Sequence, residues 1–145
     1  MTIFFYSTKG RYGCFSNFSR HGFELDGLYW STSEHYFQAQ KFAGTPYLEE
    51  VRLARTPKEA ARLGRRRDWP LRPDWEQVKD DVMRRAVWRK FEANADLREV
   101  LLSTAGEELV EDSPTDDYWG CGAQRTGQNK LGQILMEVRA RWRSS

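Results

Sequence analysis

The chain has 145 residues, the usual size of one domain, so we predict a single domain over residues 1–145. Its formal net charge is only +2, which argues against a nucleic-acid partner but leaves that partner as an open alternative. Two cysteines, no signal peptide and no apolar run near the ~20 residues that cross a bilayer predict a cytoplasmic protein without a membrane partner. No pattern in the sequence predicts an oligomeric state.

The first third of the chain is predicted to form a small β element. Residues 2–7 (TIFFYS) are apolar and aromatic, which is typical of a buried strand. A glycine-containing loop follows over residues 9–17. Asp26-Gly27 then stands between the apolar runs 23–25 and 28–30, and this dipeptide in such a position predicts a hairpin.

The rest of the chain is predicted to be mainly helical, which makes the fold class α+β. Ser31 and Glu34 fit a capping box, so we predict a helix that begins just before Glu34, runs through Phe42 and stops near Gly44. Thr56 and Glu59 fit a second box. Pro57 stands at its first helical position, and Gly64 closes that helix. The remaining predictions are an ordered loop over 68–73, a helix over 74–93, a short helix over 97–104, a strand over 108–111, a glycine-rich loop over 116–127, and a final helix capped by Asn129 and running to about 141.

Residues 30–42 (WSTSEHYFQAQKF) contain the most informative pattern. Steps of four and three residues return to the same side of a helix, so Glu34, Gln38 and Lys41 are predicted to share one face. An acid, an amide and an amine in one row favour catalysis. A solvated helix face would also explain the row, and Glu34 has the alternative role of completing the capping box.

Other segments favour ligand binding less strongly. Residues 116–122 (DDYWGCG) form either a binding loop or a turn with an aromatic plug. Residues 15–18 (FSNF) place two rings around a polar pair, facing either the core or a ligand. The arginines 62 and 65–67 follow a helix end, where they complement the helix dipole or grip a phosphate. His21 and His35 lack the partners of a metal site, so no metal is predicted.

Six segments in order resemble one family: CFSNF, W-x-T-SEHYFQAQKF, AARLGR, W-x-x-VK-x-x-VM-x-x-A, D-x-x-WG and N-x-LG-x-x-LM-E-x-R. Together they resemble the NADAR superfamily, and closely its riboflavin-intermediate N-glycosidase branch, the YbiA-like proteins. The resemblance extends from about residue 5 to residue 141. It implies a YbiA-like fold and hydrolysis of the C1′–N bond of ribosylaminopyrimidine 5′-phosphates, which releases ribose 5-phosphate and the free base. No cofactor is implied.

The resemblance also implies roles for individual residues. The family's essential glutamate corresponds to Glu34 and its lysine to Lys41, whereas Asp116 and Trp119 correspond to the D-x-x-WG motif. Cys121 departs from the pattern, because a close relative carries an acid there. The catalytic residues expected are therefore Glu34, Lys41 and Asp116, and the substrate-binding residues expected are Phe15, Asn17, Trp30, Arg65, Arg67, Trp119 and Gly120.

The chemistry suits these residue types. Cleavage of a ribosyl C1′–N bond develops positive charge on the sugar, which a carboxylate such as Glu34 can stabilise, or Glu34 can deprotonate the attacking water. Lys41 can protonate the leaving base, or attack C1′ and form a Schiff base. Asp116 can hold ribose hydroxyls or orient Lys41. Phe15, Trp30 and Trp119 are expected to stack on the base, and Arg65 with Arg67 to hold the phosphate.

Two alternatives stay open at the level of the sequence. The first is an ADP-ribosyl hydrolase acting on ADP-ribosylated guanine or related nucleotides, which the modest net charge does not favour. The second is a binding module for NAD or ADP-ribose without catalysis. A module that only binds needs no acid and amine on one helix face, so the pair Glu34 and Lys41 counts against it.

Overall fold

The computed structural model describes residues 1–144. Within these residues the chain forms six α-helices, four short strands and one 3₁₀ turn, which confirms the mainly helical α+β class. The strands are β1 (Thr2–Phe5), β2 (Phe23–Leu25), β3 (Leu28–Trp30) and β4 (Glu108–Glu111), and the 3₁₀ turn is Gly13–Phe15. The helices are α1 (Ser33–Gln40), α2 (Tyr47–Arg52), α3 (Pro57–Gly64), α4 (Trp75–Ala93), α5 (Ala95–Ser103) and α6 (Lys130–Arg143).

The elements belong to two compact units. The central unit is continuous and spans Arg20–Ala93, whereas the terminal unit combines residues 1–19 with residues 94–144. The prediction of one domain over the whole chain stays a prediction. No helix within residues 1–144 is both long and apolar enough to cross a membrane.

The terminal unit is built around a parallel pair of strands. β1 pairs with β4 in a register that sets Thr2 opposite Glu108, so the strand partner lies more than a hundred residues along the chain. The predicted strands in the first third of the chain are confirmed, whereas the pairing of β1 with β4 was not predicted. α6 packs against β4, and α5 packs against α6.

Asn129 holds this unit together in a way that differs from the prediction. It stands at the N-cap position of α6, but its side chain makes no capping bond and its φ is 53°. Instead its Oδ1 accepts a hydrogen bond from Glu111 N at 2.9 Å, and its Nδ2 donates to Leu109 O at 2.9 Å. The amide thus ties the start of α6 to β4.

The central unit surrounds α1. β2 and β3 form the predicted antiparallel hairpin, with Asp26 and Gly27 both at positive φ, as a tight turn requires. α1 packs against α2, α3 and α4. The sequence did not predict α2, whose six residues are too few to display a helical period.

Helix starts agree with the sequence at α3 and differ at α1. Thr56 Oγ1 accepts a hydrogen bond from Glu59 N, with Pro57 at the first helical position, as predicted. At α1 the N-cap residue is Thr32, not Ser31, because Thr32 Oγ1 accepts the hydrogen bond from His35 N at 3.1 Å. Glu34 therefore stands one position earlier than a capping box needs, and the capping explanation for it was wrong.

Candidate active site

The row Glu34, Gln38 and Lys41 is buried. Each of the three residues is only 8% exposed, so the alternative of a solvated helix face was wrong. Gln38 Nε2 donates a hydrogen bond to Glu34 Oε2 at 2.8 Å, one helical turn away. Buried polar side chains in one row are costly to retain, which favours a functional reason for them.

Lys41 stands at the C-cap of α1, one residue beyond the last helical one. Its Nζ donates to Gly64 O at 3.2 Å, at the end of α3. The same Nζ lies 5.8 Å from the centre of the Trp75 ring and 6.0 Å from that of Phe37. The amine is therefore held between aromatic rings and a helix end, out of bulk water.

This environment lowers the pKa of Lys41 to about 8. Burial is the main cause, because a charged ammonium is less stable away from water, and the positive charge of Arg67 adds to it. The negative charge of Glu34 raises the pKa of Lys41, whereas the positive charge of Arg65 lowers it further. The sequence left the balance of these effects open, and in the structure the effects that lower the pKa outweigh that of Glu34.

Gly64 lies next to the side chains of Lys41, Arg67 and Gln38. Its carbonyl oxygen accepts hydrogen bonds from Lys41 Nζ and from Arg67 Nη1, the latter at 3.1 Å. α3 ends at Gly64, as predicted, and the backbone of this glycine is α-helical. A Cβ at this position would lie 1.9 Å from Gln38 Oε1, and this close approach is what requires glycine.

The four arginines of α3 and the following turn divide into two kinds. Arg62 pairs with Glu59, and Arg66 pairs with Asp68. Within residues 1–144, neither Arg65 nor Arg67 has a carboxylate at ion-pair distance. Arg65 and Arg67 are therefore the two cations of the group whose charge no nearby acid compensates.

The predicted loop residues belong to the terminal unit. Asp116 Oδ1 accepts hydrogen bonds from the backbone nitrogens of Tyr118 and Trp119, at 2.9 and 2.8 Å. Asp116 thus shapes its own loop, whatever it does to a substrate. Trp119 is half-buried and meets Tyr118 edge to face. Gly120 is buried, and a Cβ there would lie 2.8 Å from Glu111 Oε2, so packing alone explains that glycine.

Two predicted stacking residues are core residues. Trp30 is completely buried, meets Tyr36 edge to face and donates its indole N–H to Leu25 O at 2.9 Å. Phe15 is 1% exposed and packs against Phe5 and Tyr12. Both rings are covered by the protein itself, and the stacking role predicted for them stays a prediction.

The predicted residues divide between the two units. Glu34, Lys41, Arg65 and Arg67 lie in the central unit. Lys41 and Arg67 both donate to Gly64 O, and the charges of Glu34 and Arg65 act on Lys41. Asn17, which is buried, belongs with Asp116, Trp119 and Gly120 to the terminal unit. Within residues 1–144 no three histidine, cysteine, aspartate or glutamate side chains are grouped to hold a metal ion.

Comparison with known families agrees with the resemblance seen in the sequence. The family model of the NADAR domain matches residues 4–143, so the chain belongs to the NADAR domain family. The chain is 54% identical over 142 residues to the N-glycosidase Npun_R5314 of Nostoc punctiforme, which covers 96% of this chain and 91% of that protein.

Two further relatives are informative. The N-glycosidase YbiA of Escherichia coli is 53% identical over 137 residues, covering 94% of this chain and 86% of that one. Its NMR structure superposes with a TM-score of 0.91 at 51% identity, over 99% of this chain and 85% of the other. The riboflavin biosynthesis protein PYRR of Zea mays is 45% identical over 153 residues, which cover 95% of this chain and 25% of the maize protein.

Proposed function

We propose that this protein hydrolyses the C1′–N bond of ribosylaminopyrimidine 5′-phosphate intermediates of riboflavin biosynthesis, releasing ribose 5-phosphate and the free base. At the coarser level, the chain is an N-glycosyl hydrolase, like the relatives that carry the name N-glycosidase. The maize relative named for riboflavin biosynthesis supports the choice of substrate. The observation that carries the proposal is the buried pair Glu34 and Lys41 beside two uncompensated arginines.

We assign to Glu34 the stabilisation of the transition state. As the C1′–N bond lengthens, the ribose acquires oxocarbenium character, and a buried carboxylate stabilises that charge more strongly than an exposed one. The same carboxylate can take the proton of an attacking water. The hydrogen bond from Gln38 Nε2 suits an ionised Glu34, because an amide N–H donates to a carboxylate.

Lys41 has two possible roles, and its low pKa bears on both. As an ammonium, it can deliver a proton to the departing base. As a free amine, it can attack C1′ and expel the base; the ribosyl-lysine then opens to a Schiff base, which water hydrolyses to ribose 5-phosphate and the amine. A pKa of about 8 makes the free amine accessible near neutral pH, which favours the covalent route.

The phosphate is assigned to Arg65 and Arg67. Guanidinium groups bind phosphate oxygens through paired hydrogen bonds, and these two have no competing carboxylate among the described residues. Arg67 also donates to Gly64 O, so a phosphate held there has a fixed position relative to Lys41. The roles of Asp116 and Trp119 stay predictions from the family resemblance.

The test is incubation of the purified protein with a panel of ribosylated bases, with detection of free ribose 5-phosphate. We expect turnover of the ribosylaminopyrimidine 5′-phosphates. Glu34→Gln should fold and turn over at least ~100-fold more slowly, as expected when a main electrostatic contributor is removed. Normal turnover by a folded Glu34→Gln protein would exclude the catalytic role of Glu34. If the protein released base only from ADP-ribosylated guanine, that compound class would be the substrate instead of the ribosylaminopyrimidine phosphates.

A further inference from the structure

The Gln38 side chain lies between Glu34 and the end of α3. Its Nε2 donates to Glu34 Oε2 at 2.8 Å. At the other end of the amide, Oε1 is buried and has no hydrogen-bond partner within residues 1–144. A buried acceptor without a partner destabilises the fold. A methionine of the same length would fill the space without that cost, so packing alone does not account for an amide at this position.

Gly64 is the counterpart of this amide. The missing side chain of Gly64 is what leaves room for Gln38, since a Cβ at position 64 would lie 1.9 Å from Oε1 and 2.7 Å from Cδ. Any larger residue would push the amide away from its place. The glycine of α3 thus permits this placement of the amide, while the carboxylate of Glu34 determines which end of the amide faces it.

The orientation of the amide follows from electrostatics. If the amide were reversed, Oε1 would meet Glu34 Oε2, and two oxygens with negative partial charge would repel each other. The observed orientation sets an N–H donor against the carboxylate instead. Such a donor stabilises the ionised form of an acid and disfavours the protonated form.

We propose that Gln38 is a positioning residue that keeps the Glu34 carboxylate ionised and oriented, and that the absence of a side chain at Gly64 leaves the space that Gln38 needs for this role. The catalytic consequence rests on the proposed function; the effect on Glu34 itself does not. Under this proposal Glu34 acts as a carboxylate, which stabilises positive charge or accepts a proton. It leaves the delivery of a proton to the leaving base to another group.

The experiment is an NMR titration of the carboxyl carbon of Glu34 in the full chain. Gln38→Met removes the donor at constant length, and we expect Glu34 to titrate at higher pH than in the wild type. Gln38→Glu sets a second carboxylate beside Glu34 and should move the titration further in the same direction. Gly64→Ala should act like Gln38→Met, because the added methyl group displaces the amide. Gln40→Met, on the same helix and half-buried, is the matched control and should leave the titration unchanged.

Kinetics provide a second measurement. Gln38→Met should lower kcat by roughly 10- to 100-fold, the effect of one lost hydrogen bond to a charged group, and shift the acid limb of the pH profile upward. In a Gln38→Ala background, Gly64→Ala should add less than about a threefold loss, because its effect acts through Gln38. A merely structural glycine would add its full loss there.

The outcomes separate the two proposals. An unchanged Glu34 titration in folded Gln38→Met overturns the positioning role, even where activity falls. A shifted titration in a protein that releases no ribose 5-phosphate from any substrate supports the positioning role and rejects the proposed function. If Gly64→Ala fails to fold, Gln38→Met decides the question by itself, since it preserves length and apolar volume.

Discussion

At the scale of the residue, the protonation state of Lys41 is the most consequential feature. With a pKa of about 8, roughly one amine in ten is neutral at pH 7, compared with about one in three thousand for an ordinary lysine. A nucleophilic lysine needs that neutral fraction. Burial creates it, and Arg67 increases it by disfavouring a second cation nearby.

The covalent route can be trapped chemically. Borohydride added during turnover should reduce a Schiff base to a stable amine, seen by mass spectrometry as a ribosyl phosphate adduct on the Lys41 peptide. Lys41→Arg should be inactive, because a guanidinium stays protonated and does not attack C1′. Lys58→Arg, on the exposed side of α3, is the matched control and should keep its activity. An adduct-free spectrum together with partial activity in Lys41→Arg would favour direct hydrolysis, with Lys41 as a proton donor.

At the scale of the element, the start of α1 is stabilised by hydrogen bonds between Thr32 and His35. Thr32 Oγ1 accepts the N–H of His35 and lies 2.7 Å from His35 Nδ1, while His35 Nε2 lies 2.9 Å from Ala54 O. A carbonyl only accepts, so Nε2 carries the proton and Nδ1 accepts from the threonine hydroxyl. Both residues are fully buried, and burial, with Arg20 adding to it, lowers the pKa of His35. The neutral ring is therefore part of the helix that carries Glu34.

This arrangement predicts a pH dependence of stability. Because the pKa of His35 is lower in the folded state, the unfolded chain binds the proton first as the pH falls below about 6.5. The contribution of neutral His35 to the free energy of unfolding is complete above that pH. Below it, this contribution declines by about 1.4 kcal/mol per pH unit until the pKa of His35 in the folded state is reached. Urea unfolding at pH 7.5 and 5.5 measures the change. His35→Gln should lose this part of the pH dependence, and His21→Gln should retain it.

The elements that the sequence predicted are those with local signals. Asp26-Gly27 determines the hairpin turn, and Thr56 with Pro57 determines the start of α3, because these residues act on neighbours a few positions away. The pairing of β1 with β4 has no such signal, since neither strand carries a mark of its partner. The choice of Thr32 over Ser31 as N-cap also escaped prediction, because either hydroxyl can serve.

The candidate site was predictable where it depends on helical spacing. Glu34, Gln38 and Lys41 share a face because α1 is a helix, and this needs no tertiary information. The contact between Gln38 and Gly64 involves two helices, so the sequence predicted the end of α3 at Gly64 but not this contact. The burial of Trp30 and Phe15 was not predictable from the sequence either, because an aromatic residue near a motif can pack into the core or face a ligand.

At the scale of the whole molecule, the charge is almost balanced, with 23 basic and 21 acidic residues. A net charge of +2 attracts a phosphorylated substrate only weakly over long distances. Much of the surface charge is also compensated by neighbours on the same helix, as in the pairs of Arg62 with Glu59 and Lys79 with Glu76. Selectivity for a phosphate must therefore come from a local arrangement, which the uncompensated Arg65 and Arg67 provide.

Arg65→Ala tests this reasoning. We expect KM for a 5′-phosphorylated substrate to rise roughly 10- to 100-fold, the effect of one lost charge-assisted hydrogen bond, and KM for the dephosphorylated nucleoside to change little. Arg62→Ala is the matched control, because Arg62 is already paired with Glu59 and should have little effect on either KM. Added salt should weaken binding of the phosphorylated substrate in the wild type and much less in Arg65→Ala, since screening acts on the charge that the variant lacks. Equal changes in KM for both substrates would mean that Arg65 supports the fold at the end of α3, and the phosphate would then have to be held elsewhere.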